Sequence, residues 1–204
     1  MRPTRSHRLP QGLACLGCAA LQLLSACGGG GEDSSGDAAP ADAPASAPQA
    51  GIASVPEQAS CAIPDFAAAA LAAVNQRRSA GATCGSRGSF AAAPPLRWSS
   101  QLALASAAHS ADMAALDYFS HTSADGRSMS DRVNATGYSW ASLGENIAAG
   151  YPGIDSVVEG WMLSEGHCAN IMNPAFDEMA LACVIGGPGS RYGQYWTQNL
   201  ARKR

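Results

Sequence analysis

The stretch MALACVI, residues 179–185, is apolar throughout, and its first half alternates larger side chains with alanine. A short apolar run of this kind is typical of a strand that is buried on both faces of a sheet. The glycine-rich segment 186–190 predicts a turn after this strand. Residues 192–200 then predict the last strand of the domain.

Upstream of this strand, the sequence predicts further elements of both kinds. In the first helix Phe66, Ala70 and Val74 recur every four residues, which is an amphipathic pattern. The predicted helices span about 64–78, 99–117, 128–136 and 156–163, a short strand spans 144–149, and 81–93 is irregular. Because helices and strands are interspersed, the predicted fold class is α/β (α+β), with helices covering a small sheet.

The N-terminal residues 1–26 have the features of an export signal. Three arginines precede an apolar stretch, Leu13 to Leu24, that is too short for a transmembrane helix. It ends in Leu-Ser-Ala-Cys27, which resembles the lipobox of bacterial lipoproteins. The resemblance implies that the chain is cut before Cys27 and that this thiol carries lipid. The alternative is an ordinary signal peptide followed by an incidental cysteine.

Residues 28–60 consist mainly of Gly, Ala, Pro, Ser and acidic residues, and Ile52 and Val55 are their only large apolar side chains. Such a segment cannot bury enough surface to offset its ordering entropy, so 27–60 is predicted to be a lipidated, disordered tether. The folded domain is predicted to span 61–204. Lipid on Cys27 predicts membrane attachment in the cell envelope, and the lack of Asp after Cys27 favours the outer membrane of a Gram-negative bacterium.

Seven cysteines are present, of which two fall in the predicted signal and one is the predicted lipid acceptor. The domain keeps four: Cys61, Cys84, Cys168 and Cys183. An even number in an exported domain indicates disulfides, for which three pairings are open. We favour Cys61–Cys84, which would join the two ends of a unit made of a helix and a loop. The other pair would then be Cys168–Cys183, tying a loop to the strand that follows it.

Charge and hydropathy exclude two classes of partner or location. The net charge is −3, and the domain shows no basic stripe, which argues against nucleic acid as a partner. No apolar run reaches the ~18 residues that a membrane span requires. After removal of the signal only three histidines are left, and all three fall in the motifs described next.

Several short motifs follow one another along the domain. In chain order they are HSADM (109–113), FSHT (119–122), GENI (144–147), WMLSEGH (161–167) with NIMNP (170–174), and YWTQNL (195–200). This series, over about 65–200, resembles the CAP (SCP) superfamily of cysteine-rich secretory proteins, venom allergens and pathogenesis-related proteins, and most of all its bacterial branch. The resemblance implies a three-layer α-β-α sandwich with a small central sheet and a central cleft.

The cleft of the eukaryotic family members carries two histidines and two carboxylates. By resemblance, His121 and His167 match the histidines and Glu145 matches one carboxylate. The position of the second carboxylate is Ser164, followed by Glu165. This departure weakens any mechanism that needs two acids.

Three kinds of chemistry are open to these residues. His121, His167 and Glu145 form a donor set suited to zinc, with a further position for water. Without metal, His121 and Glu145 can pair as a general base and its orienting group. Alternatively, the polar groups satisfy one another and rigidify the cleft.

Four further residues lie in the motifs. His109 is on the apolar stripe of its helix and is expected in the core, in support of the site. Asn146 and Asn170 are expected to bond backbone groups rather than a substrate. Ser164 is a candidate nucleophile that lacks the sharp strand-to-helix turn such serines use, and its hydroxyl is expected to bond the backbone at a helix end.

The sequence thus favours a non-enzymatic binding module for a small apolar ligand, a metal or an envelope protein, because the family shares no activity but its members bind ligands of these kinds. The alternative is a metal-dependent hydrolase of peptide or cell-wall material that uses His121, His167 and Glu145. A third reading is a purely structural or adhesive domain.

Overall fold

The computed structural model describes residues 59–204. The predicted signal peptide 1–26, the predicted lipid acceptor Cys27 and the predicted tether up to residue 58 lie outside the described residues. The tether was predicted to end at residue 60, but Ala59 is buried in the core and Ser60 forms a β-bridge with Cys183. Ala59 joins the domain through burial and Ser60 through backbone pairing, neither of which the composition of this segment signals.

The domain contains five helices and six strands over its described residues. The helices are α1 (Phe66–Ala80), α2 (Ser100–Leu116), α3 (Met129–Ala135), α4 (Ile154–Met162) and α5 (Glu165–Met172). The strands are β1 (Ala82–Thr83), β2 (Ser89–Phe90), β3 (Arg97–Trp98), β4 (Trp140–Ala149), β5 (Glu178–Ile185) and β6 (Gln194–Lys203). None of these helices has the length and apolarity that crossing a membrane requires.

Most elements match the sequence-based prediction, and the exceptions are short. Helix α5 was not predicted, because it includes Gly166 and follows α4 after a two-residue link. Strands β1 and β2 form a hairpin within 81–93, which was predicted to be irregular, and strand β3 was not predicted either. These three strands have two residues each, too few to produce a periodic pattern of apolar residues.

Four strands form the main sheet in the order β3-β5-β6-β4. Strand β6 pairs antiparallel with both β5 and β4, and β3 pairs parallel with β5. The apolar run 179–185 therefore lies inside the sheet, as predicted. Strand β4 is at the edge of the sheet, so among residues 59–204 its outer side has no strand partner.

Helices cover both faces of this sheet, which confirms the predicted α-β-α sandwich. Along β6 the side chains alternate between the two faces. Thr197 and Asn199 face α2, where their side chains bond to Ser110 and Ser106 at 2.8 Å each. Trp196 and Leu200 face the other way and join the core cluster built with α1, α4 and α5.

Arg78 on α1 stabilises this second layer, and it has no carboxylate partner within residues 59–204. Its side chain is fully buried and donates hydrogen bonds to four backbone carbonyl oxygens, those of Pro94, Ile171, Asn173 and Phe176. Burial lowers the pKa of the Arg78 guanidinium. The four carbonyl oxygens compensate the buried positive charge in place of a counter-ion. The hydrogen bonds to them also link α1 to the end of α5.

The predicted disulfide pairing is wrong, although all four predicted cysteines are used. The bonds are Cys61–Cys183, with Cα atoms 5.3 Å apart, and Cys84–Cys168, with Cα atoms 5.5 Å apart. Cysteines that are near each other in the sequence do not pair, because the backbone before α1 pairs with β5 and α5 packs beside the turn at 85–87. The bonds span 122 and 84 residues, so each is worth about 4 to 5 kcal/mol in the chain-entropy model.

Candidate functional site

The predicted site residues lie around the open edge of β4. Glu145 points from β4 toward α2 and α3, while Asn146 points toward α5 on the opposite face of the sheet. Because β4 has no strand beyond it, groups from both faces of the sandwich can meet at this edge. His121 reaches the edge from the side of α2 and α3, and His167 reaches it from α5.

His121 lies on the loop between α2 and α3, and α2 holds this loop at two points. The carboxylate of Asp112 accepts a hydrogen bond from the amide of Ala124 at 3.2 Å. The Nε2 atom of His109 lies 2.9 Å from the carbonyl oxygen of Ser120, to which it donates. The residues on either side of His121 are thus tied to the helix before it.

Helix α3 holds the same loop through a buried arginine. The helix starts with a capping box, in which Ser128 and Asp131 satisfy each other's backbone amides. One turn later, Arg132 donates to the carbonyl oxygen of His121 at 3.1 Å and to Glu145 Oε2 at 2.6 Å. A single guanidinium therefore positions both the loop and the carboxylate.

Glu145 bridges this arginine and His121. Its Oε1 atom lies 2.8 Å from His121 Nδ1, and its side chain is only 2% exposed, whereas that of His121 is 56% exposed. Burial raises the pKa of Glu145, but the hydrogen bond from His121 and the charge of Arg132 outweigh burial and hold that pKa below its usual value. The carboxylate is therefore ionised at neutral pH and accepts the hydrogen of Nδ1, which leaves Nε2 of His121 as an acceptor on a half-exposed ring.

His109 lies beneath this group and is fully buried. Burial lowers the pKa of His109, so the ring is neutral at pH 7. With Nε2 donating to Ser120, Nδ1 carries no hydrogen, and this buried atom finds no partner among residues 59–204. The position in the core matches the expectation that His109 supports the site.

Helix α5 brings two more predicted residues to the cleft. Burial, and next the nearby His121, lower the pKa of His167, so this ring is also neutral at pH 7. Ser164 occupies the N-cap position of α5, but its hydroxyl makes no capping hydrogen bond. The expected backbone bond of this serine is absent from the described part of the chain, and Ser164 and His167 instead line the same cavity.

The two asparagines connect α5 to β4. Asn170 Nδ2 donates to the carbonyl oxygen of Glu145 at 3.2 Å and to Asn146 Oδ1 at 2.9 Å. Asn146 Nδ2 donates to the carbonyl oxygen of His167 at 3.3 Å and to Gln198 Oε1 at 2.8 Å. Both side chains bond backbone groups, and they fix the distance between α5 and the strand that carries Glu145.

A cavity of about 300 Å³ opens next to His167. Phe119 and Tyr192 form one wall, and Tyr151 and Trp161 form the other. Its floor is the edge of β4 over residues 147–149. The cavity is thus largely aromatic, with Ser164 and His167 as its polar side chains.

The predicted zinc ligands are not assembled. From residue 59 to the C-terminus, no group of three His, Cys, Asp or Glu side chains is placed to hold a metal ion. Both oxygens of Glu145 are already engaged, and Arg132 puts a positive charge 2.6 Å from one of them. The residues His121, His167 and Glu145 therefore do not fit zinc in this arrangement.

Sequence reasoning missed Arg132 and the aromatic walls of the cavity. A lone arginine on a short helix is usually exposed, so nothing local marks Arg132 as buried. Tyr151 and Tyr192 lie in loops outside the motifs. Gly160 gives a clearer signal in hindsight, because a Cβ there would overlap the ring and hydroxyl of Tyr151.

Comparisons with known proteins agree with these motifs. A family model described as the cysteine-rich secretory protein family matches residues 71–200. YkwD, an uncharacterized protein of Bacillus subtilis (strain 168), is 37% identical over 109 residues, which are 53% of this chain and 40% of YkwD. YlbC, an uncharacterized membrane protein of the same organism, is 32% identical over 108 residues, which are 53% of this chain and 29% of YlbC. The match thus spans less than half of either relative.

Solved structures show similar folds. An outer surface protein from Borrelia burgdorferi has a TM-score of 0.50 and 15% identity, and the match covers 55% of this chain and 80% of that one. An extracellular protein from Bacillus anthracis str. Ames that contains an SCP domain has a TM-score of 0.48 and 34% identity. That match covers 54% of this chain and 35% of the other.

Proposed function

Because the chain belongs to the cysteine-rich secretory protein (CAP) family, we propose that it is an extracytoplasmic binding module whose cleft takes a small, partly apolar ligand. The observation that carries this proposal is the cavity of about 300 Å³ with aromatic walls. Its volume is at the lower end of the range for small-molecule sites, and apolar walls with a few polar groups are typical of such sites.

The polar groups beside the cavity support binding rather than chemistry that needs two acids. Glu145 is held by Arg132 and His121, and the position of a second carboxylate is Ser164. Burial lowers the pKa of His167, so the group that lines the cavity is a neutral hydrogen-bonding imidazole. Such a group orients a ligand without demanding a charge on it.

The proposed location is the cell envelope, with the domain tethered through lipid on Cys27. The lipobox-like sequence before Cys27 supports this anchor. The relative YlbC points the same way, since it is an uncharacterized membrane protein. The outer membrane of a Gram-negative cell is the location that the residues after Cys27 favour.

Binding can be tested with a fluorescent apolar probe, 1-anilinonaphthalene-8-sulfonate, on the full chain. Ser164→Phe fills the cavity, and because the Ser164 hydroxyl makes no capping bond, the change removes no interaction of the helix end. We expect the probe to bind at least about tenfold more weakly, since one aromatic ring occupies much of the cavity. Leu163→Phe is the matched control, because Leu163 is 79% exposed and does not line the cavity. Equal binding by both variants contradicts the proposal.

A second candidate function is hydrolysis of peptide or cell-wall material, and one observation favours it. His121 has Nδ1 on an ionised carboxylate and Nε2 available on a half-exposed ring, which is how a general base is oriented. Turnover of casein or peptidoglycan by the full chain that is lost in His121→Asn would support hydrolysis. Probe binding without turnover would leave binding as the function.

A further inference from the structure

We propose that the cleft recognises a short peptide in extended conformation, which pairs with the free edge of β4 through the backbone amides of Ile147 and Ala149. This inference rests on the proposed binding function and names the class of ligand. It follows from the direction in which each residue of β4 points its backbone groups.

Pairing with β6 determines which residues of β4 point their backbone N–H and C=O groups toward β6 and which point them outward. The amide of Gly150 donates to the carbonyl oxygen of Gln194 at 2.9 Å, and the register pairs Ala149 with Tyr195 and Ala148 with Trp196. In an antiparallel pair, residues alternate between those that bond the partner strand and those that point away from it. Even-numbered residues of β4 therefore bond β6, and Ile147 and Ala149 point their N–H and C=O groups outward.

Contacts with the helices independently confirm that the odd-numbered residues of β4 point these groups outward. Trp161 Nε1 donates to the carbonyl oxygen of Ile147 at 3.2 Å, and Asn170 donates to that of Glu145 at 3.2 Å. Both acceptors are odd-numbered, so these carbonyls do point away from β6. The amides of Ile147 and Ala149 share this direction, and within residues 59–204 no side chain or loop carbonyl accepts from them.

The cavity meets β4 at these same residues. It touches Ile147, Ala148 and Ala149 in succession, although the side chains of Ile147 and Ala148 belong to core clusters on opposite faces of the sheet. Side chains of consecutive strand residues point to opposite faces of the sheet. A cavity that touches three consecutive residues therefore lies against the backbone at the edge of the strand. Two unpaired amides therefore open onto the cavity.

A peptide backbone matches this pattern of donors. The amides of Ile147 and Ala149 are two residues apart, roughly 6.8 Å along a strand, which is the repeat of carbonyls on one side of an extended chain. Successive side chains of such a peptide point to opposite sides, where they meet the Phe119–Tyr192 wall and the Tyr151–Trp161 wall. A hydrocarbon chain would fill the walls but leave both amides unpaired.

The length of the peptide is limited at both ends. Trp161 bonds the carbonyl of Ile147, so between the two amides the ligand contributes only its own carbonyl oxygens. Toward the start of β4, Asn170 covers the carbonyl of Glu145, so pairing cannot extend past Ile147. Toward its end, Gly150 has a φ of 80°, which turns the chain away from the strand direction. Two to three residues of a ligand can therefore pair, and β-strand addition at this edge is short.

The test uses the full chain and the blocked dipeptide acetyl-Leu-Leu-amide, with hydrogen exchange read residue by residue by NMR. We expect saturating dipeptide to slow exchange of the Ile147 and Ala149 amides at least about tenfold, since each gains a hydrogen bond. The Ala148 amide between them already bonds β6 and serves as the internal control. Dipeptide binding without added protection at Ile147 and Ala149 overturns the inference.

Ala149→Pro provides a second test. Proline removes the outward amide, and no bond of the sheet is lost because Ala149 does not donate to β6. We expect dipeptide affinity to fall at least about tenfold relative to the unaltered protein. Ala149→Ser keeps the amide and is the matched control. If the unaltered protein binds the apolar probe but not the dipeptide, the peptide inference fails and the binding function stands. If it binds neither, both proposals fail.

Discussion

Arg132 Nη2 lies 2.6 Å from Glu145 Oε2, and both side chains are only 2% exposed. The ion pair joins α3 to the edge strand β4 beneath His121. A buried pair of this kind is costly to form and more costly to break, because the remaining charge is left without a partner in a medium of low polarity. The geometry of the site therefore depends on a residue that touches no part of the cavity.

Arg132→Met should destabilise the domain by about 3 to 5 kcal/mol, because it removes the buried counter-ion of the Glu145 carboxylate. The matched control is Arg77→Met, since Arg77 pairs with Glu159 at 2.5 Å but the two side chains are 43% and 49% exposed. An exposed pair contributes about 0 to 1 kcal/mol. Urea unfolding followed by far-UV circular dichroism measures both free energies of unfolding. Similar losses in the two variants would contradict the buried pairing.

Stability should fall as the pH drops from about 7 to 5.5, in part through His109. Burial holds the pKa of folded His109 below its usual value of 6.5, so below that pH the unfolded chain takes up a proton that the folded domain does not. Stability is thus fully present above pH ~6.5 and is lost as the pH falls toward the folded pKa. The slope is at most about 1.4 kcal/mol per pH unit for each such proton.

His109→Gln tests the source of this slope. Glutamine retains a donor for the carbonyl of Ser120 but does not titrate. Thermal unfolding at pH 7 and pH 5.5 should show a smaller difference in the variant than in the unaltered protein. Some slope should persist, because burial also lowers the pKa of His167. An unchanged pH dependence in His109→Gln would show that His109 does not cause it.

The disulfides can be identified directly by peptide mapping without reduction. We expect linked peptides that contain Cys61 with Cys183 and Cys84 with Cys168. The double variant Cys84→Ala, Cys168→Ala should lower the free energy of unfolding by about 2 to 5 kcal/mol. It frees α5 from the turn at 85–87 and should therefore also weaken binding of the apolar probe in the cavity beside His167. A Cys61–Cys84 peptide would reverse the assignment.

Cys27→Ser tests the proposed anchor. Without the thiol no lipid can be attached, so the variant should move from the membrane fraction to the soluble fraction of the producing bacterium. Cell fractionation with immunodetection measures this shift. The control is Cys18→Ser, which lies in the predicted signal and should leave the fractionation unchanged. Membrane retention of Cys27→Ser would place the anchor elsewhere.

Much of the fold could be predicted from the sequence because it depends on local pattern. The period of apolar residues in α1 and the apolar run of β5 each lie within one element, where neighbours along the chain decide the structure. Helix α5 escaped prediction because it includes Gly166 and follows α4 after only two residues, and the β1-β2 hairpin escaped because its strands have two residues each. The order of the motifs indicated His121, Glu145 and His167, and the structure brings all three to the edge of β4.

The sequence by itself determined the longer helices and strands and their order, the four disulfide cysteines, and three residues of the cleft, His121, Glu145 and His167. Only the tertiary structure decided which cysteines pair, that Arg132 forms a buried ion pair with Glu145, and which amides of β4 point outward. The physical reason is distance along the chain. The pairing of Cys61 with Cys183 joins positions 122 residues apart, and the open amides depend on the absence of a strand beside β4. Such contacts form through the packing of whole layers and leave no local pattern at either residue.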